Sequence, residues 1–189
     1  MNIIETINKK LPEINKEIAF FDVLLYIHPS KDDLVCLDCI KDVYRKILTN
    51  ISYYKGEEKI YNRIDNDYQT LNDLFAELKE FIYPAIPFEV TMLLSTLNCQ
   101  DLETILNHFK TDSIVSLNDL KKEVSDLYFK CNNNYPTFDE NTTLKEVSTY
   151  IAAINRYMKE KELDFKEGYL LILANYIKLF LKETTCTVI

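Results

Sequence analysis

The chain has 189 residues, 47% hydrophobic and 28% charged, with a formal net charge of −8. These are globular proportions and exclude wholesale disorder, and the acidic balance disfavours nucleic acid as a partner, because that needs a basic surface to displace phosphate counterions. The two glycines, Gly56 and Gly168, lie far apart, so no glycine-rich phosphate loop of the G-x-G-x-x-G or Walker type can be written.

The opening Met1-Asn2-Ile3-Ile4-Glu5 lacks the basic region and apolar run of an export signal. After Pro12, the residues Ile14, Ile18, Phe21 and Leu25 recur at helical spacing and predict an apolar helix ending near His28-Pro29. Ser30, with Asp33 three residues on, predicts a capped start to the next helix. Its buried stripe is Leu37, Ile40, Val43, Tyr44, Ile47, Leu48 and Ile51, and Gly56 ends it. A long helix is predicted over 57–82, on the stripe Ile60, Ile64, Leu71, Leu74, Phe75, Leu78, Phe81 and Ile82. Pro84 and Pro87 stop it and set up two shorter helices, Phe88 to Leu97 and Leu102 to Phe109.

Ser116 opens the following helix, with Leu117, Leu120, Val124, Leu127 and Tyr128 on one face. The Asn-rich stretch 132–142 reads as a loop. Thr143 and Glu146 then form a capping box, followed by Leu144, Val147, Ile151, Ile154 and Met158. Asp164 and Glu167 suggest a second box at the start of the last helix. That helix, from Tyr169 to Leu181, is apolar nearly all round, which predicts a central core helix. The expected fold is therefore all-α: a single compact bundle of about seven to eight helices over 1–183, with a short tail over 184–189.

Side chains that could carry chemistry are few. Cys36, Cys39, Cys99, Cys131 and Cys186 are five scattered cysteines. They read as free thiols of a reducing compartment, so the chain is expected to be cytoplasmic, of its source or of a host cell. No apolar stretch approaches the roughly 18 residues of a membrane helix. Cys36-Leu37-Asp38-Cys39 has the gap of half a zinc site, but no second pair supplies the remaining ligands. On a helix these two cysteines flank the buried stripe and read as core residues. His28 and His108 are the only histidines, and neither stands in a motif with a nucleophile. Asp65-Asn66-Asp67 lacks the glycine of a calcium loop, and Glu77 and Glu80 lack the histidines of a di-iron bundle. No catalytic residue, metal or cofactor is expected.

The segment Ile86-Pro87-Phe88-Glu89, with Leu93, Leu97 and Asp101-Leu102, resembles the opening of an F-box over residues 86–106. The family's tryptophan-bearing ending is absent, since the chain has no Trp. The resemblance implies an adaptor role, with Ile86, Pro87, Glu89, Leu93, Leu97, Asp101 and Leu102 as a partner motif. The glycine-poor, Tyr- and Ile-rich helical character is also similar to the Bcl-2-like immune modulators of poxviruses, chiefly over Thr143 to Leu181. The Asn-Trp-Gly-Arg motif of that group is missing. This similarity implies a viral or intracellular-pathogen modulator binding host signalling proteins.

The last four residues, Cys186-Thr187-Val188-Ile189, match the prenylation pattern and point to lipidation of Cys186 and peripheral membrane attachment. The polybasic patch or second acyl site of firm anchoring is absent. The expected function is a non-enzymatic helical protein–protein interaction module with a protein partner. The alternatives are an enzyme whose site gathers scattered Tyr, Asp, Glu and His in a bundle cavity, and the F-box-like adaptor.

Overall fold

A computed structural model describes residues 2–111 and 115–186, with side chains up to 182. Among these residues every regular element is helical: α1 (Ile3–Ile27), α2 (Lys31–Tyr53), α3 (Glu58–Ile82), a 3₁₀ turn (Tyr83–Ala85), α4 (Phe88–Ser95), α5 (Cys99–Phe109), α6 (Leu117–Asn132), α7 (Leu144–Glu160) and α8 (Lys166–Cys186). The all-α fold is as expected from the periodicity. The chain divides into two compact units, Met1–Leu102 and Glu103–Ile189, with the boundary inside α5.

The first unit is built on α1, α2 and α3. Asn15 meets Tyr44 (3.0 Å) while Asp22 meets Lys41 (2.8 Å), so α1 and α2 run antiparallel. The Ile3 N–H donates to the Tyr61 hydroxyl (3.3 Å) and Lys79 pairs with Glu17 (2.9 Å), so α1 and α3 run parallel. Both ion pairs are about one-third exposed, so each contributes at most about 1 kcal/mol. They set register, and the apolar stripes supply the stability. Ile7, Phe21, Val23 and Leu24 of α1, Ile40 of α2, and Ile64, Leu78 and Ile82 of α3 are completely buried.

Helix α1 begins well before Pro12, not after it. Asn2 is its N-cap, the side chain accepting from the Glu5 N–H at 2.9 Å, and the helix passes through Pro12. Proline removes the bond to the Asn8 carbonyl. Asn8 and Pro12 are both exposed, so water can serve that carbonyl, while Ile7 and Ile14 stay buried on the opposite side. Ser30 does stand at the N-cap of α2, but its hydroxyl makes no capping bond. Gly56, at φ +89°, takes the left-handed turn between α2 and α3 that other residues avoid.

An aromatic cluster fixes the end of α3. Phe21 stacks on Phe75 with centroids 6.0 Å apart, and Tyr83 lies 6.1 Å from Phe21 and 6.4 Å from Phe20. Such pairs add about 0.5–1.5 kcal/mol each beyond burial. They pin the 3₁₀ turn to α1 and so set where α4 starts.

In the second unit α6 and α7 pack on each other and on α8. The Ser116 hydroxyl caps α6 by accepting from the Asp119 N–H (3.1 Å). Asn133, left-handed at φ 56°, closes it. Tyr135 of the Asn-rich loop stacks on Phe129 of α6 at 4.4 Å. The buried Lys121 reaches the same loop, its ammonium donating to the Asp139 carbonyl (3.0 Å). The loop therefore lies inside the second unit and has its own fastenings. Thr143 and Glu146 form the expected capping box. Thr143→Ala should lower stability by about 1 kcal/mol, as for N-cap deletions generally. A chemical-denaturation midpoint unchanged from wild type would refute this.

Helix α8 is the core helix that its composition predicts. Tyr169, Leu170 and every residue from Ile172 to Ile177 are buried, and Leu171 alone in that run is exposed. Its one buried amide, Asn175, donates to Glu123 of α6 at 3.3 Å. The helix starts at Lys166 with Phe165 accepting the first turn's bond from Tyr169, so Asp164 lies one residue outside the cap position.

Candidate functional site

Helix α4 is eight residues long, Phe-Glu-Val-Thr-Met-Leu-Leu-Ser, and apolar on most sides. Such a helix is usually enclosed. Here Val90 and Leu94 are fully buried, while Phe88 is 73% and Met92 51% exposed. Phe88, Met92 and Ser95 follow at i, i+4 and i+7, so they form one outward stripe. The stripe ends in a cleft of about 290 Å³ in which Ser95 faces Phe20 and Tyr83, with Glu13, Lys16 and Glu17 on the rim. Lys16 donates to the Ser95 carbonyl (3.2 Å) and ties α4 to α1. A second cleft of about 230 Å³ shares Glu13 and Glu17 and has Ile14, Tyr68 and Phe75 for its floor. The two clefts thus adjoin through Glu13 and Glu17, and Ser95 is the residue of the α4 stripe that lines the first of them.

Of the twelve large apolar side chains exposed among the described residues, nine lie in the first unit. Partial burial pushes the Tyr83 phenol above its ordinary value, against the opposing pull of the Lys79 ammonium. It therefore stays neutral at physiological pH. In the second unit, a cleft of about 530 Å³ at the start of α8 is lined by Leu127, Lys130 and residues 164–168.

The residues of the F-box-like pattern divide between core and surface. Ile86, Leu97, Asp101 and Leu102 are buried, Pro87 and Leu93 half-buried, and Glu89 exposed at the first turn of α4. The Asp101 N–H is taken by the Asn98 side chain (2.9 Å), a local helix-start bond. Four of the seven therefore help hold the first unit together. The segment's outward residues, Phe88 and Met92, were not singled out by that pattern. The Cys186 side chain and residues 187–189, which carry the prenylation pattern, lie outside the described residues.

The thiols and histidines do not assemble into a nucleophile–base pair in the described contacts. The Cys36 thiol points to the Leu74 carbonyl (3.7 Å), and Cys39 beside it is exposed. Burial pushes the Cys36 thiol up, helped by the negative charges of Glu77, Cys39 and Asp33. A raised thiol carries less thiolate, so Cys36 should be alkylated more slowly than exposed Cys39 at mildly alkaline pH. Mass-spectrometric mapping after brief iodoacetamide treatment tests this, and equal labelling would contradict it. Burial likewise pushes up Cys131, against the Lys161 ammonium. His28 is exposed at the end of α1, and neither histidine lines any of the three clefts. Among the described residues no three His, Cys, Asp or Glu side chains are grouped to hold a metal ion, and no helix is long and apolar enough to cross a membrane.

No family model, no curated protein and no solved structure matches the chain.

Proposed function

We propose that this chain is a non-enzymatic protein–protein interaction module whose docking surface is the exposed side of α4 together with the adjoining Phe20–Tyr83 cleft. The observation that carries the reading is the exposure of Phe88 and Met92 on a helix whose other face is core. Isolated surface apolar residues are ordinary, but a stripe leading into an aromatic cleft is the form of an interface. Aromatic residues and methionine are also the side chains enriched at interface centres.

The test is a quantitative pull-down from a cell lysate with wild type and Phe88→Asp, both with matching circular dichroism. Phe88 is exposed, so the substitution places a charge on the surface and leaves the core intact. A protein retained by wild type and lost at least about tenfold with the variant supports the reading, since a buried charge at an interface centre costs several kcal/mol. Equal retention by both, or turnover of a small molecule with no retained protein, would overturn it.

A further inference from the structure

We propose that Cys36 and Cys39 form a two-coordinate site for a soft, thiophilic monovalent cation such as copper(I). In the sequence the pair has the gap of half a zinc site and flanks a buried stripe, which reads as core. The structure corrects that reading. Neither cysteine lies in the core: Cys36 is half-buried, Cys39 is exposed, and both are free thiols. They stand one turn apart on α2, at i and i+3, and so share a face.

Spacing decides what two such thiols can do. A disulfide needs Cβ atoms about 3.5–4.5 Å apart, whereas residues at i and i+3 of a helix hold theirs about 5–6 Å apart. Oxidation would have to deform α2. A thiolate–metal–thiolate bridge is longer. Metal–sulfur bonds of about 2.3 Å allow the sulfurs to stand up to about 4.6 Å apart, against about 2.05 Å in a disulfide. That bridge spans one helical turn with little distortion. Zinc takes four ligands, and among the described residues no three His, Cys, Asp or Glu side chains are grouped to hold an ion. Of the ions that thiolates favour, copper(I) is the one satisfied by two.

The surroundings favour a cation. The Cys36 thiol lies where α2 packs on α3 and donates to the Leu74 carbonyl at 3.7 Å. Burial, then the negative charges of Glu77 on α3, of Cys39 and of Asp33, hold the proton on Cys36. Those same charges attract a metal ion that takes the proton's place. Two thiols and one copper(I) give a bis-thiolate complex of charge −1 and two released protons, with no oxidant or reductant consumed.

The experiment titrates the full chain, without oxygen, against copper(I) held by a chromophoric chelator. One ion per chain should pass to the wild type. Cys36→Ser and Cys39→Ser should each weaken binding by about 100-fold or more, because a single thiolate loses the gain of a linked second ligand. A chain carrying Cys99→Ser, Cys131→Ala and Cys186→Ser should bind as the wild type does. X-ray absorption of the loaded wild type should show two sulfur neighbours on copper. Both Ser substitutions lie outside the core, so folding is retained, as circular dichroism would confirm.

Undiminished binding by either single variant would overturn the proposal, because copper would then sit on other thiols. So would an affinity no better than that of free cysteine at the same thiol concentration. Zinc bound as tightly as copper(I), or a third ligand in the absorption spectrum, would overturn the two-coordinate assignment. The single variants and the absorption spectrum decide the matter even where the triple variant fails to fold.

Discussion

Replacing Leu173 by alanine is expected to lower the stability of the second unit by about 2–5 kcal/mol. Leu173 is fully buried, and its neighbours along α8, from Ile172 to Ile177, are buried on every side. A truncated side chain there loses its transfer free energy and leaves a cavity that close-packed surroundings fill poorly. No face of this stretch of α8 is open to solvent, so relaxation is limited and the upper part of the range applies. Urea unfolding followed by helical circular dichroism is the measurement. A change under about 1 kcal/mol would show that α8 is not the packed centre described above.

The second large effect has the opposite sign. Pro12→Ala is expected to raise stability by about 2 kcal/mol. Within a helix proline costs about 3 kcal/mol relative to alanine, through its missing N–H and its clash with the preceding turn. Against that, proline restricts the unfolded chain, which favours folding by about 0.4–1 kcal/mol. The difference favours alanine. Pro12 is exposed and lies inside α1, so alanine meets no packing obstacle and restores the bond to Asn8. An unchanged or lowered unfolding midpoint would mean that α1 is bent at Pro12 in a way the first unit needs.

These two positions show where sequence reasoning succeeded and where it failed. Helix α8 was legible because its apolar residues occupy every angular position, and an element without a wet face has to be enclosed. The Thr143–Glu146 box was legible because both partners are local. Pro12 reads as a helix boundary in the sequence, and it masks the true start of α1 at Ile3. The competing signal was present, since Asn2 with Glu5 three residues on is itself an N-cap pattern. Ser30 shows the reverse, a capping residue in position whose hydroxyl makes no capping bond.

The candidate surface was less legible for a physical reason. An amphipathic helix announces its inner face by periodic asymmetry, and α4 has almost none, because Phe88, Val90, Met92, Leu93 and Leu94 leave no polar side to mark. Only the fold separates Val90 and Leu94, which are buried, from Phe88 and Met92, which are not. The cleft beside it joins Phe20 to Tyr83 and Ser95 from distant parts of the chain, and no local motif encodes that meeting. The F-box-like pattern spans α4, yet four of its seven residues turn inward.

The enclosed character of α8 also bears on the order in which the protein can be made. A ribosome releases α6 and α7 before α8 exists, and at about 5–20 residues per second that interval is long beside the microseconds in which helices form. During it, Val124 of α6 and Val147, Ile151 and Ile154 of α7, all fully buried in the finished protein, lack the helix that packs against both. The first unit has its three long helices complete by then. Nascent chains arrested after α7 should accordingly be protease-sensitive in their second half and resistant in their first, and the vulnerable moment of biosynthesis is the wait for a single helix.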